Sequence, residues 1–354
     1  MTDTHPRFQQ HWPMPARPRP IVVIGAGGVV NDAHLPAYAK ANFKVAGIYD
    51  IHSERSRQTA AQFGIATVYQ TLAETLSTKD VVFDIAVPPD RLRSVLEQCV
   101  PNSVVLMQKP MGTNLEEARQ IVAICLEKQL TAAVNFQLRF SPMMLAVRDM
   151  LRRGLLGQIV DIDVHLNYRE PWELFPFLKS QTRVEMLIAS IHYFDWIRSI
   201  VGEPQGVYAR SIPHPAFPDI EATRTSAILD YGNQIRCCLS LSGTWGFPPK
   251  HEACVIRIEG TKGAAVVDLG CLINYPAGKP DRLEFITAGD EWIVVPLEGN
   301  WFPDAFRGTM ANLQRFSDGE DDRLWTGVED AIKTMALVEA LYDSSRHGST
   351  RIPS

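Results

Sequence analysis

Apolar positions along this chain follow two patterns, one on each side of residue 140. Before it, short continuous apolar runs at 21–24, 43–49, 81–87, 103–108 and 131–136 predict strands buried on both faces. Between them, helical segments are expected after Gly28, at 53–63, at 88–99 and, capped by Asn114, through Lys128. Strands alternating with helices imply right-handed βαβ units, hence an α/β Rossmann domain with helices on both faces of a parallel sheet.

Past residue 141 the period changes. Helices are predicted at 142–153 and 184–201. Strand-like runs with turn signals between them fall at 159–167, 206–212, 223–231, 234–242, 253–259, 264–269, 282–286 and 292–296. That pattern predicts an α+β C-terminal domain with a large, mainly antiparallel open sheet. Helices return at 304–316 and from Thr326 to about Ser345. The expected organisation is a flexible proline-rich arm (1–19), a dinucleotide-binding domain (20–140), a substrate and oligomerisation domain (141–300), and C-terminal helices packing back on both (301–354).

The stretch from Pro20 to Asp50 carries the first chemical signal. Strand, glycine turn, helix, strand and acid follow in order, as a dinucleotide site requires. Gly25 permits the tight turn, Gly27 lets backbone approach a pyrophosphate, and Gly28 and Val29 open the helix whose N-terminus offers N–H groups to phosphate. The third glycine of the usual pattern falls at Val30, which predicts a wider separation of helix and strand. Asp50 can accept from a ribose 2′-hydroxyl and would repel a 2′-phosphate, so NAD is expected over NADP. Ligands of such sheets lie beyond the carboxyl ends of the strands, which adds Val87, Pro88, Lys109 and Asn135 as candidates.

Composition narrows the partners. A net charge of −5 favours neither nucleic acid nor an anionic membrane. No apolar run reaches the roughly 20 residues that span a bilayer. The start of the chain lacks the apolar core of a signal peptide. Six cysteines (Cys99, Cys125, Cys237, Cys238, Cys254, Cys271) have neither metal-ligand nor disulfide-framework spacing, which fits reduced thiols in a cytoplasmic protein. No metal site or nucleophile elbow is evident.

Two later motifs join these signals. Gln108-Lys109-Pro110 stands at a strand end, and IHYFDWIRSIVG (Ile191 to Gly202) carries a histidine and an aspartate three residues apart. With GAGGVVNDAHLPAY, AVPPD, QLRFSP and TGVEDAIKTMALVEALYDSS, they make the chain resemble the Gfo/Idh/MocA family of glucose–fructose oxidoreductase and inositol dehydrogenases, from Pro20 to Pro353. The resemblance implies a nicotinamide-dependent oxidoreductase acting on sugars, polyols or their derivatives. The family usually has Glu-Lys-Pro where this chain has Gln108-Lys109-Pro110.

Removing a hydride from a secondary alcohol requires a base for the hydroxyl proton. Lys109, at a strand end beside a nicotinamide, is the expected acid/base, since burial and a neighbouring positive charge favour its neutral form. His192 is expected to bind a substrate hydroxyl or assist proton transfer, with Asp195 on the same helix face to hold the ring. Many family members place an aspartate four residues before this histidine, where this chain has Ile188. Their glycine two before it is Ser190, and their triple glycine is Thr182-Arg183-Val184. Glu185, two turns before His192, either compensates or complements the helix dipole.

Substrate-side candidates are Asn135, Arg139, Tyr168, Arg169 and Trp172, with Trp245, His251 and Trp301 behind them. The expected protein is an NAD-dependent dehydrogenase of a sugar, inositol or related polyol, assembled as a homodimer or homotetramer. Its alternatives are a catalytically silent dinucleotide-binding sensor and a redox-neutral glycoside-processing enzyme that holds NAD tightly.

Overall fold

The structure is a computed structural model; it describes residues 7–174, 178, 181–221, 223–274, 278–349 and 352. The chain divides into two compact units. His11–Ser141 and Phe302–Met335 form the first; Pro142–Trp301, the chain up to Gln10 and the chain from Ala336 form the second.

The first unit holds a parallel sheet of six strands: β1 (Ile21–Ile24), β2 (Val45–Tyr49), β3 (Thr67–Val68), β4 (Val82–Ile85), β5 (Val104–Met107) and β6 (Thr131–Val134). Their order, β3-β2-β1-β4-β5-β6, is that of the doubly wound dinucleotide fold. Between them run α1 (Leu35–Lys40), α2 (Ser53–Phe63), α3 (Leu72–Leu76), α4 (Pro89–Leu96) and α5 (Leu115–Glu127). Strands β1, β4 and β5 are buried along their whole length, as their unbroken apolar runs require.

The core of this unit gathers Ile21, Val23, Val30, Leu35, Ile48 and Leu106 with Met310, Ala311 and Leu313. The last three come from α8 (Asp304–Ser317), so the late helix belongs to this sheet's core. Each buried Val, Leu, Ile or Met among them contributes about 1.5–3 kcal/mol on leaving water. Val30, at the third-glycine position, is fully buried in that core. Residues Val30–His34 form a π-helical turn there, ahead of α1.

The second unit holds α6 (Pro142–Arg152), β7 (Ile159–Asn167), α7 (Ile191–Val201), β8 (Gly206–Ile212), β9 (Arg224–Asp230), β10 (Arg236–Ser242), β11 (Ala253–Gly260), β12 (Gly263–Asp268), β13 (Arg282–Thr287) and β14 (Ile293–Val295). The sheet order is β14-β13-β12-β11-β7-β10-β9-β8, antiparallel except where β10 runs parallel to β7. Alternation decides which face is covered. Ile162, Val164 and Leu166 are buried, while His165 between them on β7 is exposed. A second π-helical turn, Glu185–Ala189, precedes α7. The helix expected over 184–201 is therefore two pieces meeting at Ser190. The long final helix α9 (Val328–His347) starts in the first unit and ends in the second.

The proline-rich arm corrects an expectation: from Arg7 onward it lies on its own chain. Phe8 is buried edge-on to Phe285, and the Gln10 side chain bonds Pro296 O and Glu298 N in the second unit. Trp12 packs edge-on to Phe140 and Trp325 and donates to Asp321 in the first. Residues 1–6 of the expected arm lie outside the described residues.

Candidate active site

Successive strand ends of the parallel sheet carry the candidates. Gly25 leaves β1 with φ +110°, and a Cβ there would lie 2.2 Å from the Ala86 carbonyl oxygen. Glycine is thus demanded twice over, by the positive φ and by the closeness of the neighbouring strand end. A Cβ on Gly27 would meet nothing within 4 Å, so the turn presents open space on the side where a pyrophosphate would lie. Gly28 is exposed, and Val29 is half-buried at the start of the helix.

Asp50, after β2, is held by two backbone donors. Its Oδ2 accepts from Ala26 N at 2.7 Å and its Oδ1 from His52 N at 2.7 Å. Each carboxylate oxygen retains a lone pair for a ribose hydroxyl. Asn31 closes the turn from the helix side, donating to the Ala26 and Gly27 carbonyls. Val87 is half-buried and Pro88 exposed, between β4 and α4. These features fit a nicotinamide dinucleotide: glycine backbone and the helix N-terminus for its phosphates, and a preoriented carboxylate for its adenosine ribose.

Lys109 follows β5 as a half-buried residue, joined to Pro110 by a cis bond. Gln108 before it is buried, and its Oε1 accepts from Lys109 N at 3.0 Å. The Gln108 Nε2 sits 2.9 Å from His34 Nε2. His34 Nδ1 in turn lies 2.7 Å from Asp84 Oδ2, which also accepts from Tyr38 Oη at 2.8 Å. Asn135, after β6, is fully buried with its Nδ2 3.5 Å from the same His34 nitrogen. His34, Tyr38 and Asp84 are absent from the sequence-based candidates. The readable signal was Asp84 itself, an acid inside the apolar run VVFDIAV, because a buried carboxylate needs donors.

Arg139 is drawn elsewhere. Its buried guanidinium donates to Trp325 O and to Asp330 Oδ2, both at 2.7 Å, tying the end of β6 to the start of α9. That is an ion pair within the first unit.

In the second unit, His192 is buried on α7, with Trp301 edge-on at 5.5 Å. Asp195, expected to hold the His192 ring, lies 3.8 Å from Arg198, whose guanidinium is bidentate to Glu203. Glu185 is enclosed: Oε1 accepts from Ser190 Oγ at 2.6 Å and Oε2 from Gly243 N at 2.9 Å. Burial pushes this carboxyl up to about 7; the two hydrogen bonds oppose the rise, and the Glu170 charge adds to it. Tyr168 is buried and donates to Glu170 at 2.8 Å. Trp172 stacks on Phe217 at 4.9 Å. Arg169 is exposed and pairs with Glu173. Trp245 donates to Pro248 O, and His251 is exposed. Tyr168 and Glu185 thus converge on Gly243, whereas Arg169 and Trp172 do not join them. Glu170 and Ser190 complete this cluster and were legible only through the fold.

Comparison with known proteins decides the family. Residues 19–136 match the profile described as "Oxidoreductase family, NAD-binding Rossmann fold", and residues 144–266 match the GFO/IDH/MocA C-terminal domain. The chain belongs to the GFO/IDH/MocA family of oxidoreductases. The D-apiose dehydrogenase of Paraburkholderia graminis is 26% identical over 93% of this chain and 88% of that protein. An oxidoreductase from Agrobacterium radiobacter, solved in complex with NAD+, L-tartaric acid and magnesium, superposes with a TM-score of 0.74 at 24% identity, covering 94% of this chain and 98% of its own. The aldose–aldose oxidoreductase of Caulobacter crescentus, complexed with glycerol, reaches 0.79 at 16% identity, covering 94% and 99%. Among the described residues, no group of His, Cys, Asp or Glu is arranged to hold a metal ion, and no helix is long and apolar enough to cross a membrane.

Proposed function

We propose that this oxidoreductase is an NAD-dependent dehydrogenase that converts a hydroxyl of a sugar or polyol to a ketone, or catalyses the reverse. The observation that carries the reading is Lys109, which leaves β5 on the same carboxyl edge of the sheet as the glycine turn and Asp50. The name of the D-apiose dehydrogenase supports the substrate class. When bound, the dinucleotide supplies the acceptor for the two electrons and hydrogen leaving carbon. Lys109 Nζ accepts the hydroxyl proton and, in reduction, returns it to the carbonyl oxygen. Asp50 orients the adenosine ribose and selects NAD over NADP, whose 2′-phosphate would meet its carboxylate. In the second unit His192 is assigned to hold a substrate hydroxyl, its ring steadied by Trp301.

Self-association through the open face of the eight-stranded sheet accompanies this reading. Exposed Tyr208 and Ile228 are cross-strand neighbours there, with Ile212 also exposed on β8. Six free cysteines support a reducing, cytoplasmic setting.

The test is titration of cofactor-stripped protein with NAD and NADP, then a panel of aldoses, branched sugars and inositols followed by the absorbance of reduced cofactor. Turnover with NAD is expected, and Lys109→Met should lower kcat by about 10²–10⁴-fold while NAD still binds. NAD binding without turnover on any compound would turn the reading toward a silent or redox-neutral protein.

A further inference from the structure

We propose that His34 is a positioning residue: braced by Asp84 and Tyr38, it fixes the orientation of the Gln108 carboxamide, which holds the backbone N–H of Lys109. The inference rests on the acid/base role proposed above for Lys109.

The hydrogen bonds admit one consistent assignment. Asp84 Oδ2 accepts from Tyr38 Oη, and His34 Nδ1 faces the same oxygen, so that nitrogen carries a proton. The opposite ring nitrogen, Nε2, lies 2.9 Å from the Gln108 Nε2. An amide nitrogen only donates, so His34 Nε2 must accept and the ring is the Nδ1–H tautomer. The remaining amide atom, Oε1, then faces Lys109 N at 3.0 Å. Flipping the amide would set oxygen against a lone pair and NH2 against an N–H, losing both bonds at once. Asn135 Nδ2, 3.5 Å from the same ring nitrogen, favours the same tautomer.

The ring itself cannot turn. His34 is fully buried, and Phe306 of α8 packs on it at 4.9 Å. The groups facing it come from α1 (Tyr38), β4 (Asp84), the ends of β5 and β6 (Gln108, Asn135) and α8 (Phe306), and the titratable ones are Asp84 and Tyr38. Register matters too: His34 closes the π-helical turn, whose extra residue rotates the rest of the helix by about 100° relative to an uninterrupted α-helix.

The sheet explains why Lys109 needs this help. Gln108 N still bonds Ile85 O, and Asn135 N bonds Met107 O. Lys109 is the next residue, and the Gln108 side chain gives its N–H an acceptor as the chain leaves the ladder. Displacement of a reacting group by about 1 Å can cost 10²-fold in rate, so anchoring this backbone matters for Nζ.

Two readouts test the inference, one of them without cofactor or turnover. Imidazole ¹⁵N NMR of the uniformly labelled protein, with Gln108→Met used to assign His34, should show a protonated Nδ1 and a bare Nε2. A protonated Nε2 in the wild-type protein overturns the proposal. Kinetically, Gln108→Met, which keeps the volume and removes both hydrogen bonds, should lower kcat about 10-fold or more with unchanged NAD affinity. Gln108→Glu, which restores an acceptor for Lys109, should recover part of that loss; recovery no better than Met would assign the effect to packing and overturn the proposal. Lys109→Met separates the two failures. If it is inactive while Gln108→Met turns over at the wild-type rate, the positioning role alone falls. If Lys109→Met itself keeps full turnover, the proposed acid/base role falls instead.

Discussion

The two units bury carboxylates in opposite ways. In the first, Asp84 meets donors from His34 and Tyr38 on one oxygen, and the chain of bonds runs on through Gln108 to backbone. In the second, Glu185 meets a hydroxyl and one backbone N–H, with Glu170 close enough to oppose its ionisation. The first arrangement gives each donor an acceptor and so fixes geometry. The second leaves a carboxyl that holds its proton to about neutral pH. A buried acid is thus no single kind of residue. Its partners decide whether it orients a neighbour or stores a proton.

The largest loss of stability is expected in the first unit, at its buried ion pair. Arg139→Met removes the donor to Asp330 and to Trp325 O. Asp330 would be left 21% exposed with Arg323 still 3.9 Å away, so the loss is at the low end for breaking such a pair, about 3 kcal/mol. Urea unfolding should show that loss at constant slope. A variant as stable as wild type would return Arg139 to the surface and reopen it as a substrate contact.

The next effect belongs to the second unit, and its sign depends on pH. The ordinary glutamate value is 4.5, and the folded value is about 7. Below about 4.5 the carboxyl is protonated in both states and makes no difference. As pH rises from there, the unfolded chain releases a proton that the folded protein keeps, so stability falls until about 7 and then levels off. The full penalty is about 3 kcal/mol. Glu185→Gln lacks it: its amide oxygen accepts from Gly243 N and its NH2 donates to Ser190 Oγ. The variant should gain on wild type across that interval, read as Tm against pH. Parallel curves would show that Glu185 is ionised in the fold.

Legibility in the sequence divides along the same line. The parallel sheet, the Gly25 turn and Asp50 were readable because each is local: a run of apolar residues, a glycine, an acid at a fixed offset. Strand β3, only two residues long, and the short helix α3 gave no periodicity to read. The Glu185 cluster was unreadable for another reason. Tyr168 with Glu170 and Glu185 with Ser190 are local pairs, but the two pairs meet only where distant Gly243 reaches Glu185. The helical-wheel argument that set Glu185 on the face of His192 also assumed a regular helix, and the π-helical turn at Glu185–Ala189 voids that count. The arm was misjudged because proline content says nothing of Phe8 and Trp12, which find aromatic partners.

The smallest effect involves no buried charge at all. Helix α5, between the Lys109 segment and β6, is capped by Asn114, whose side chain accepts from Glu117 N at 2.9 Å. Glu117 answers by accepting from Thr113 N and Oγ1 at 2.8 and 2.6 Å. Asn114→Ala should cost about 1 kcal/mol, since one N–H of the first turn loses its acceptor to water. Unlike the loss at Glu185, this one should be flat between acidic and neutral pH, because Asn114 does not titrate. Its kcat should also stay at the wild-type value, because Lys109 N is held by Gln108 and not by the helix cap. A cap variant that lowers kcat without lowering Tm would mean that Lys109 is positioned through α5, and the His34 network would lose its claim to that role.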